Sequence, residues 1–234
     1  MRSRVILISG FALAIWAGSV GYAVGGTPPA QFPSQQVADK AAVDKAWRLL
    51  DNVRLRSFPE ISESDLNIKP FNSNSTFFKA RFSFGRYFTF RNLKTTLYIN
   101  PAVFDRGASD ESVEAILAHE LAHVLYYFDR NRLSLLGLIR LTCDDFEASF
   151  ERKADLTAIA RGYGPGLIEY RQWLYKNIPD NTLKKKMRNY FSPNEIVLLM
   201  DVLKTDPALF ASFSKKIPRD IDQIVRATRN IDLK

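Results

Sequence analysis

Residues 114–123 read EAILAHELAH, and the two histidines in it, His119 and His123, are the only two in a chain of 234 residues. On a helix a spacing of four puts both imidazoles on one face, where they can ligate one ion at about 2.0–2.1 Å. Glu120, directly after the first, then projects toward the open coordination position. There it can take a proton from the metal-bound water as that water attacks a carbonyl. A catalytic metal of this kind needs a third protein ligand and keeps its fourth place for water. With no third histidine, that ligand must be a carboxylate.

The downstream sequence offers three. Glu147, Glu151 and Asp155 follow one another at intervals of four and share a helix face. Like charges at that spacing cost roughly 0.2–0.5 kcal/mol per pair on an isolated helix. Neither Arg152 nor Lys153 falls on the same face to offset them, whereas a bound cation would. Glu151 is then the expected third ligand, with Asp155 one turn on accepting the proton of a ligating histidine's other nitrogen. Glu147 is the rival ligand or is solvated. An ordinary helix with hydrogen-bonded histidines and a solvated acidic face is the plain alternative to the whole constellation.

Around the motif, Ser109 or Asp110 can cap a helix running over 110–128, with Asp110, Glu111 and Glu114 near its positive end. Val113, Ile116, Leu117, Leu121, Val124, Leu125 and Phe128 cover most of its circumference, so it is expected to be deeply buried. Further helices are expected over 36–52, 145–161, 166–176, 193–204, 206–215 and 220–229. Ser192-Pro193-Asn194-Glu195 forms a capping box with proline at the first helical position. Between the first two helices Phe78, Ala80, Phe82 and Phe84 alternate with Lys79, Arg81 and Ser83, the period-two pattern of a half-buried strand. Residues 86–90 read as its partner across a turn at Gly85, and 95–100 as a third strand. The expected fold is α+β: a small, mainly antiparallel sheet on the His-Glu-x-x-His helix, then a helical C-terminal part. Residues 27–178 would form the main domain and 179–234 a helical extension of it.

The first 26 residues differ from the rest. Arg2 and Arg4 precede an apolar run over 5–24, and Gly21-Tyr22-Ala23 offers small residues for signal-peptide cleavage. An uncleaved anchor is the alternative, since the run approaches the ~20 residues that span a bilayer. Residues 25–34, rich in Gly and Pro, read as a linker. The chain is expected to be exported, to the bacterial periplasm or envelope, with at most a peripheral or single-span membrane contact. At 46% hydrophobic and 25% charged the composition is that of a globular protein. The net charge of +8 includes the run Lys184-Lys185-Lys186 and the pair Lys215-Lys216. These read as a solvated or lipid-facing surface. No nucleic-acid motif accompanies them, and no nucleic-acid partner is expected. Cys143 is alone and is expected to be a buried small hydrophobe. It ends an apolar stretch over 133–143 that reads as a buried connecting helix or, alternatively, a flap near the site.

Tyr98-Ile99-Asn100, residues 114–123 and Glu151-Arg152-Lys153-Ala154-Asp155 together resemble the gluzincin metallopeptidases of the HtpX and CAAX-prenyl-endopeptidase type. Gly162-Tyr163-Gly164-Pro165 and Trp173 are similar to that family's Gly-Tyr-Asp-Pro segment and later tryptophan, although Gly164 stands where the family carries aspartate. The resemblance spans about residues 95–175, and the family's membrane helices or lipid anchor have no counterpart here beyond the N-terminal segment. It implies a zincin-like fold and one Zn2+ per chain, held by His119, His123 and Glu151, with Glu120 as catalytic base. It also implies that Thr95, Thr96, Leu97, Tyr98, Ile99 and Asn100 form an edge strand pairing with an extended peptide substrate. The electrophile facing the oxyanion would be Tyr163 or Arg161, just past the Glu151 helix. The function so implied is a zinc endopeptidase acting on exported or envelope proteins. A catalytically silent zinc-binding, chaperone-like quality-control protein of the same fold is the second reading, and a membrane-associated scaffold the third.

Overall fold

In chain order the elements are α1 (Pro33–Ser57), β1 (Leu66–Pro70), β2 (Phe78–Phe82), β3 (Thr95–Ile99), the single turn α2 (Ala102–Asp105), α3 (Asp110–Phe128), α4 (Asp144–Ala160), α5 (Gly164–Asn177), α6 (Asp180–Asn189), α7 (Pro193–Thr205), α8 (Pro207–Phe213) and α9 (Ile221–Arg229). They come from a computed structural model that describes residues 33–82, 94–128 and 144–229. The molecule is α+β and mostly helical, with one three-stranded sheet among the described residues. None of its described helices is long and apolar enough to cross a membrane. The export segment, the strand over 86–90 and the apolar stretch ending at Cys143 lie outside the described residues. Pro33 and Ser34, read as linker, already belong to α1.

The fold is built around α3. Ser109 accepts a hydrogen bond from the Ser112 amide (3.1 Å) and so caps the helix as expected. Val113, Ala115, Leu117, Ala118, Leu121 and Val124 are buried on nearly every side. Each fully buried aliphatic side chain of Val or Leu size contributes roughly 1.5–3 kcal/mol to folding. The surrounding elements α1, β2, α4 and α5 supply that environment. Gly166 lets α5 lie against α3, because a Cβ there would come within 2.5 Å of the Glu111 carbonyl oxygen. The core then runs on through Phe191, Ile196, Leu199 and Phe210, so α7 and α8 share it.

The sheet has the order β1-β3-β2, and it is mixed, not mainly antiparallel. β3 pairs parallel with β1, placing Ile68 beside Leu97, and antiparallel with β2, placing Ala80 beside Leu97. The reason is topological. The chain leaves β1, returns as β2 on the far side, and β3 enters between them. Thr95, Leu97 and Ile99 face the core while Thr96 and Tyr98 face outward, with Lys79 packed over the Phe71 and Tyr98 rings.

This corrects the expectation for the substrate strand. Thr95, Thr96, Leu97, Tyr98 and Ile99 form the middle strand, with both backbone ladders occupied, so no peptide can add there. Asn100 has a different task. Its side-chain amide donates to the carbonyls of Ser73 (2.6 Å) and Thr76 (3.2 Å), holding the loop that leads into β2.

Candidate metal centre

Three elements meet at the site: α3, α4 and the chain where α6 ends. His119 and His123, 1% and 6% exposed, project from α3 toward α4. His119 Nε2, His123 Nε2 and Glu151 Oε2 form a triangle with all three sides 3.1 Å. A tetrahedral ion with bonds of about 2.0–2.1 Å has ligand–ligand edges of roughly 3.3–3.4 Å, so the triangle matches one face of such a shell.

Hydrogen bonds satisfy this triangle only in part. His119 Nδ1 points at Asp155 Oδ1 (2.7 Å), so the nitrogen facing the triangle is Nε2. Each imidazole brings at most one proton to its Nε2, and an ionised carboxylate brings none. If both nitrogens carry protons, the His–His contact sets two N–H groups against each other. If either lacks one, its lone pair faces Glu151. A cation at the centre would instead be met by three converging lone pairs. His119, His123 and Glu151 are thus a set that could hold a metal ion.

The electrostatics agree with that arrangement. Burial pushes the Glu151 carboxyl up, but the charge and hydrogen bonds of His123 and His119 outweigh it and hold it well below the usual carboxylate range. Burial lowers the His119 imidazole, yet Asp155 and Glu151 raise it to about 9. Glu120 differs. Burial pushes its carboxyl up, opposed by His123 and His119. It is 7% exposed and accepts no hydrogen bond from any described residue. A buried carboxylate with no donor among the described residues is costly as the anion and holds a proton more readily than an exposed one.

Asp155 is fully buried and anchors the site. Oδ1 accepts from His119 and from Arg171 Nη2 (2.8 Å), and Oδ2 accepts from the Phe191 amide (3.1 Å). Burial raises its carboxyl, but Arg171 first and then His119 hold it below the usual range. Arg171 was not anticipated from sequence; it is an isolated arginine on α5, and only the tertiary packing brings it to α4. The other two acids on the α4 face now separate. Glu147 is paired with Lys185 of α6 (3.0 Å), while among the described residues Glu151 is bonded by the two histidines alone. The acidic face is therefore less uncompensated than its spacing implies: two of its three members have protein cations.

Tyr163 and Arg161 do not reach the site. Tyr163 Oη accepts from Arg56 (3.1 Å) and donates to Ser57 (3.0 Å), both on α1. Arg161 binds Glu60 (2.8 Å) and the Ser57 carbonyl. The reason is helix length. Arg161 lies ten residues beyond Glu151, roughly 15 Å along the axis. Gly162, at φ 92°, ends α4 and turns the chain toward α1 instead.

Beside His119 and Glu120 lies a narrow cleft of about 20 Å³, lined by Ser75 to Phe78 and by Arg171, Lys186 and Tyr190. Lys186 departs from the solvated run expected of Lys184-Lys185-Lys186: burial lowers its ammonium, and it lies 4.8 Å over the Tyr190 ring.

Fold and site together define an α+β protein with a buried two-histidine, one-carboxylate site fit for a metal ion. No family model, no curated protein and no solved structure matches the chain.

Proposed function

We propose that this protein is a zinc endopeptidase of zincin-like architecture, acting on extended segments of exported or envelope proteins. The observation that carries the reading is the convergence of three metal-ligand atoms beside a buried carboxylate that accepts no hydrogen bond from any described residue. Two imidazoles and one carboxylate are a donor set suited to zinc with one open position, and zinc there would supply Lewis acidity toward a carbonyl. Glu120 accepts the proton of the attacking water and returns it to the departing amine nitrogen. Asp155 keeps His119 in the tautomer whose Nε2 lone pair faces the site. With β3 enclosed in the sheet, an extended peptide would lie along residues 75–78, which border the cleft beside Glu120. Export is inferred from the basic and apolar pattern of residues 1–26.

The test is direct. The purified full chain is assayed for bound zinc and for cleavage of casein and other unfolded proteins, beside Glu120→Gln and Glu151→Gln. Glu120→Gln is expected to keep its metal and to lose about 10²–10⁴-fold in rate. Glu151→Gln is expected to lose the metal. A zinc-loaded wild type that cleaves no substrate would leave a metal-binding protein without peptidase activity.

A further inference from the structure

Tyr190 stands at the metal corner without helping to hold it. Its ring lies 5.7 Å from that of His119, tilted by 44°. The placement is fixed through one carboxylate: Asp155 Oδ1 accepts from His119, and Asp155 Oδ2 accepts from the amide of Phe191, the residue after Tyr190. The phenol is thus registered to the same group that orients the ligand. Arg171 presses on the ring from 4.4 Å, and Lys186, one helical turn back, donates to Tyr190 Oη at 3.4 Å. Because Oη accepts from Lys186, its own proton is available to another acceptor, and no described residue takes it. Burial, with the Glu151 charge, raises the Tyr190 phenol well above its ordinary range, so it carries that proton at neutral pH. Both side chains border the cleft that holds His119 and Glu120.

We propose that Tyr190 is the oxyanion donor of this site and that Lys186 polarises it. The inference rests on the peptidase reading. The water oxygen bonds to the carbonyl carbon, one water proton passes to Glu120, and the carbonyl π pair moves onto the oxygen that Tyr190 Oη faces. The C–N bond then breaks with its pair going to nitrogen. Nitrogen takes the proton from Glu120, and the oxygen pair re-forms the carbonyl. Tyr190 keeps its proton throughout. Lys186 acts through the phenol and is a positioning residue.

Tyr190→Phe keeps the ring that Arg171 covers and removes only the hydroxyl. In the zinc-loaded full chain it should lower kcat by about 10²–10³-fold with KM, metal content and Tm unchanged, the usual loss for one oxyanion donor. A phosphinic peptide, whose tetrahedral oxyanion mimics the reacting centre, should bind Tyr190→Phe more weakly by calorimetry. An unreactive ground-state peptide should bind wild type and variant alike. Lys186→Met should show a smaller loss of the same kind, partly restored in Lys186→Arg. If Glu120→Gln is dead while Tyr190→Phe keeps its kcat within threefold, Tyr190 is not the donor and the peptidase reading stands. If Tyr190→Phe loses metal or melts early, its role is structural and the inference fails. If loaded wild type cleaves nothing, both fall together.

Discussion

Glu151 and Arg152 are consecutive residues of α4, and each enters a buried polar cluster, but the two clusters are completed in different ways. Arg152 donates to Glu195 (3.1 Å) and to the carbonyls of Pro218 (3.2 Å) and Arg188 (3.2 Å). Glu195 in turn accepts from the Ser192 amide and hydroxyl at 2.7 and 2.8 Å. Donors meet acceptors, the charges pair, and the protein closes this cluster by itself. Around Glu151 two imidazole nitrogens and a carboxylate oxygen crowd at 3.1 Å. If both nitrogens donate to Glu151 their N–H groups oppose each other, and if either does not, its lone pair faces the carboxylate. The contrast teaches which polar cluster is scaffold and which is site. A complete network stabilises a fold, and an incomplete one in a cleft is the candidate for binding a ligand.

The largest expected effect falls on the closed cluster. Arg152→Ala leaves Glu195 buried without its cation and should cost about 3–5 kcal/mol of stability in urea unfolding, with metal content per folded molecule unchanged. A loss under about 1 kcal/mol would remove the distinction between the clusters. The open cluster should instead answer to pH. His119, raised to about 9 in the metal-free fold from 6.5, contributes stability that is whole below pH 6.5 and is lost as pH rises through 9. Metal must displace that proton, so zinc affinity should climb roughly tenfold per pH unit up to about pH 9, measured against a competing chelator. The Tm gap between loaded and stripped protein should widen over the same window. A flat affinity profile would break the assignment of His119.

How much of this was legible beforehand depends on how local the signal was. The His-Glu-x-x-His helix, its burial and its capping residues were readable, because periodicity and capping are properties of one segment. The face shared by Glu151 and Asp155 followed from spacing alone. The strand β1 escaped because only Leu66 and Ile68 point inward, too short an alternation before Pro70 to register. Helix α6 escaped because Asn181-Thr182-Leu183-Lys184-Lys185-Lys186 has almost no apolar stripe. Its lysines read as solvent-facing, yet Lys185 pairs with Glu147 and Lys186 enters the cleft. Arg171 and the middle position of β3 are tertiary facts. Nothing within five residues of either distinguishes a buried partner from a surface charge, or an inner strand from an edge.

A smaller effect tests the link between the clusters. Asp155 belongs to the open site through His119 and to the scaffold through Arg171 and the Phe191 amide. Asp155→Asn keeps the shape, removes the charge that raises His119, and leaves Arg171 buried without its anion. Zinc affinity should fall about 10–100-fold, the usual consequence of losing the group that orients a ligating histidine. Unchanged affinity together with lowered stability would assign Asp155 to the scaffold alone.

The smallest effect concerns Glu147, the residue that spacing alone could not separate from Glu151. It lies one turn earlier on the same face of α4, so a helix-face argument treats the two alike. The structure does not, because Glu147 is turned onto Lys185 of α6, whose side chain is 42% exposed. A pair so open to water contributes about 0.2–1 kcal/mol, and removing it leaves nothing buried and unpaired. Glu147→Ala should therefore keep full zinc content and lower stability by no more than that amount, and added salt should shrink the difference further. Stoichiometric zinc in Glu147→Ala beside its loss in Glu151→Gln would assign the third ligand by experiment. Loss of zinc in Glu147→Ala would move the site one turn along α4 and undo the distinction between a compensated acid and an uncompensated one.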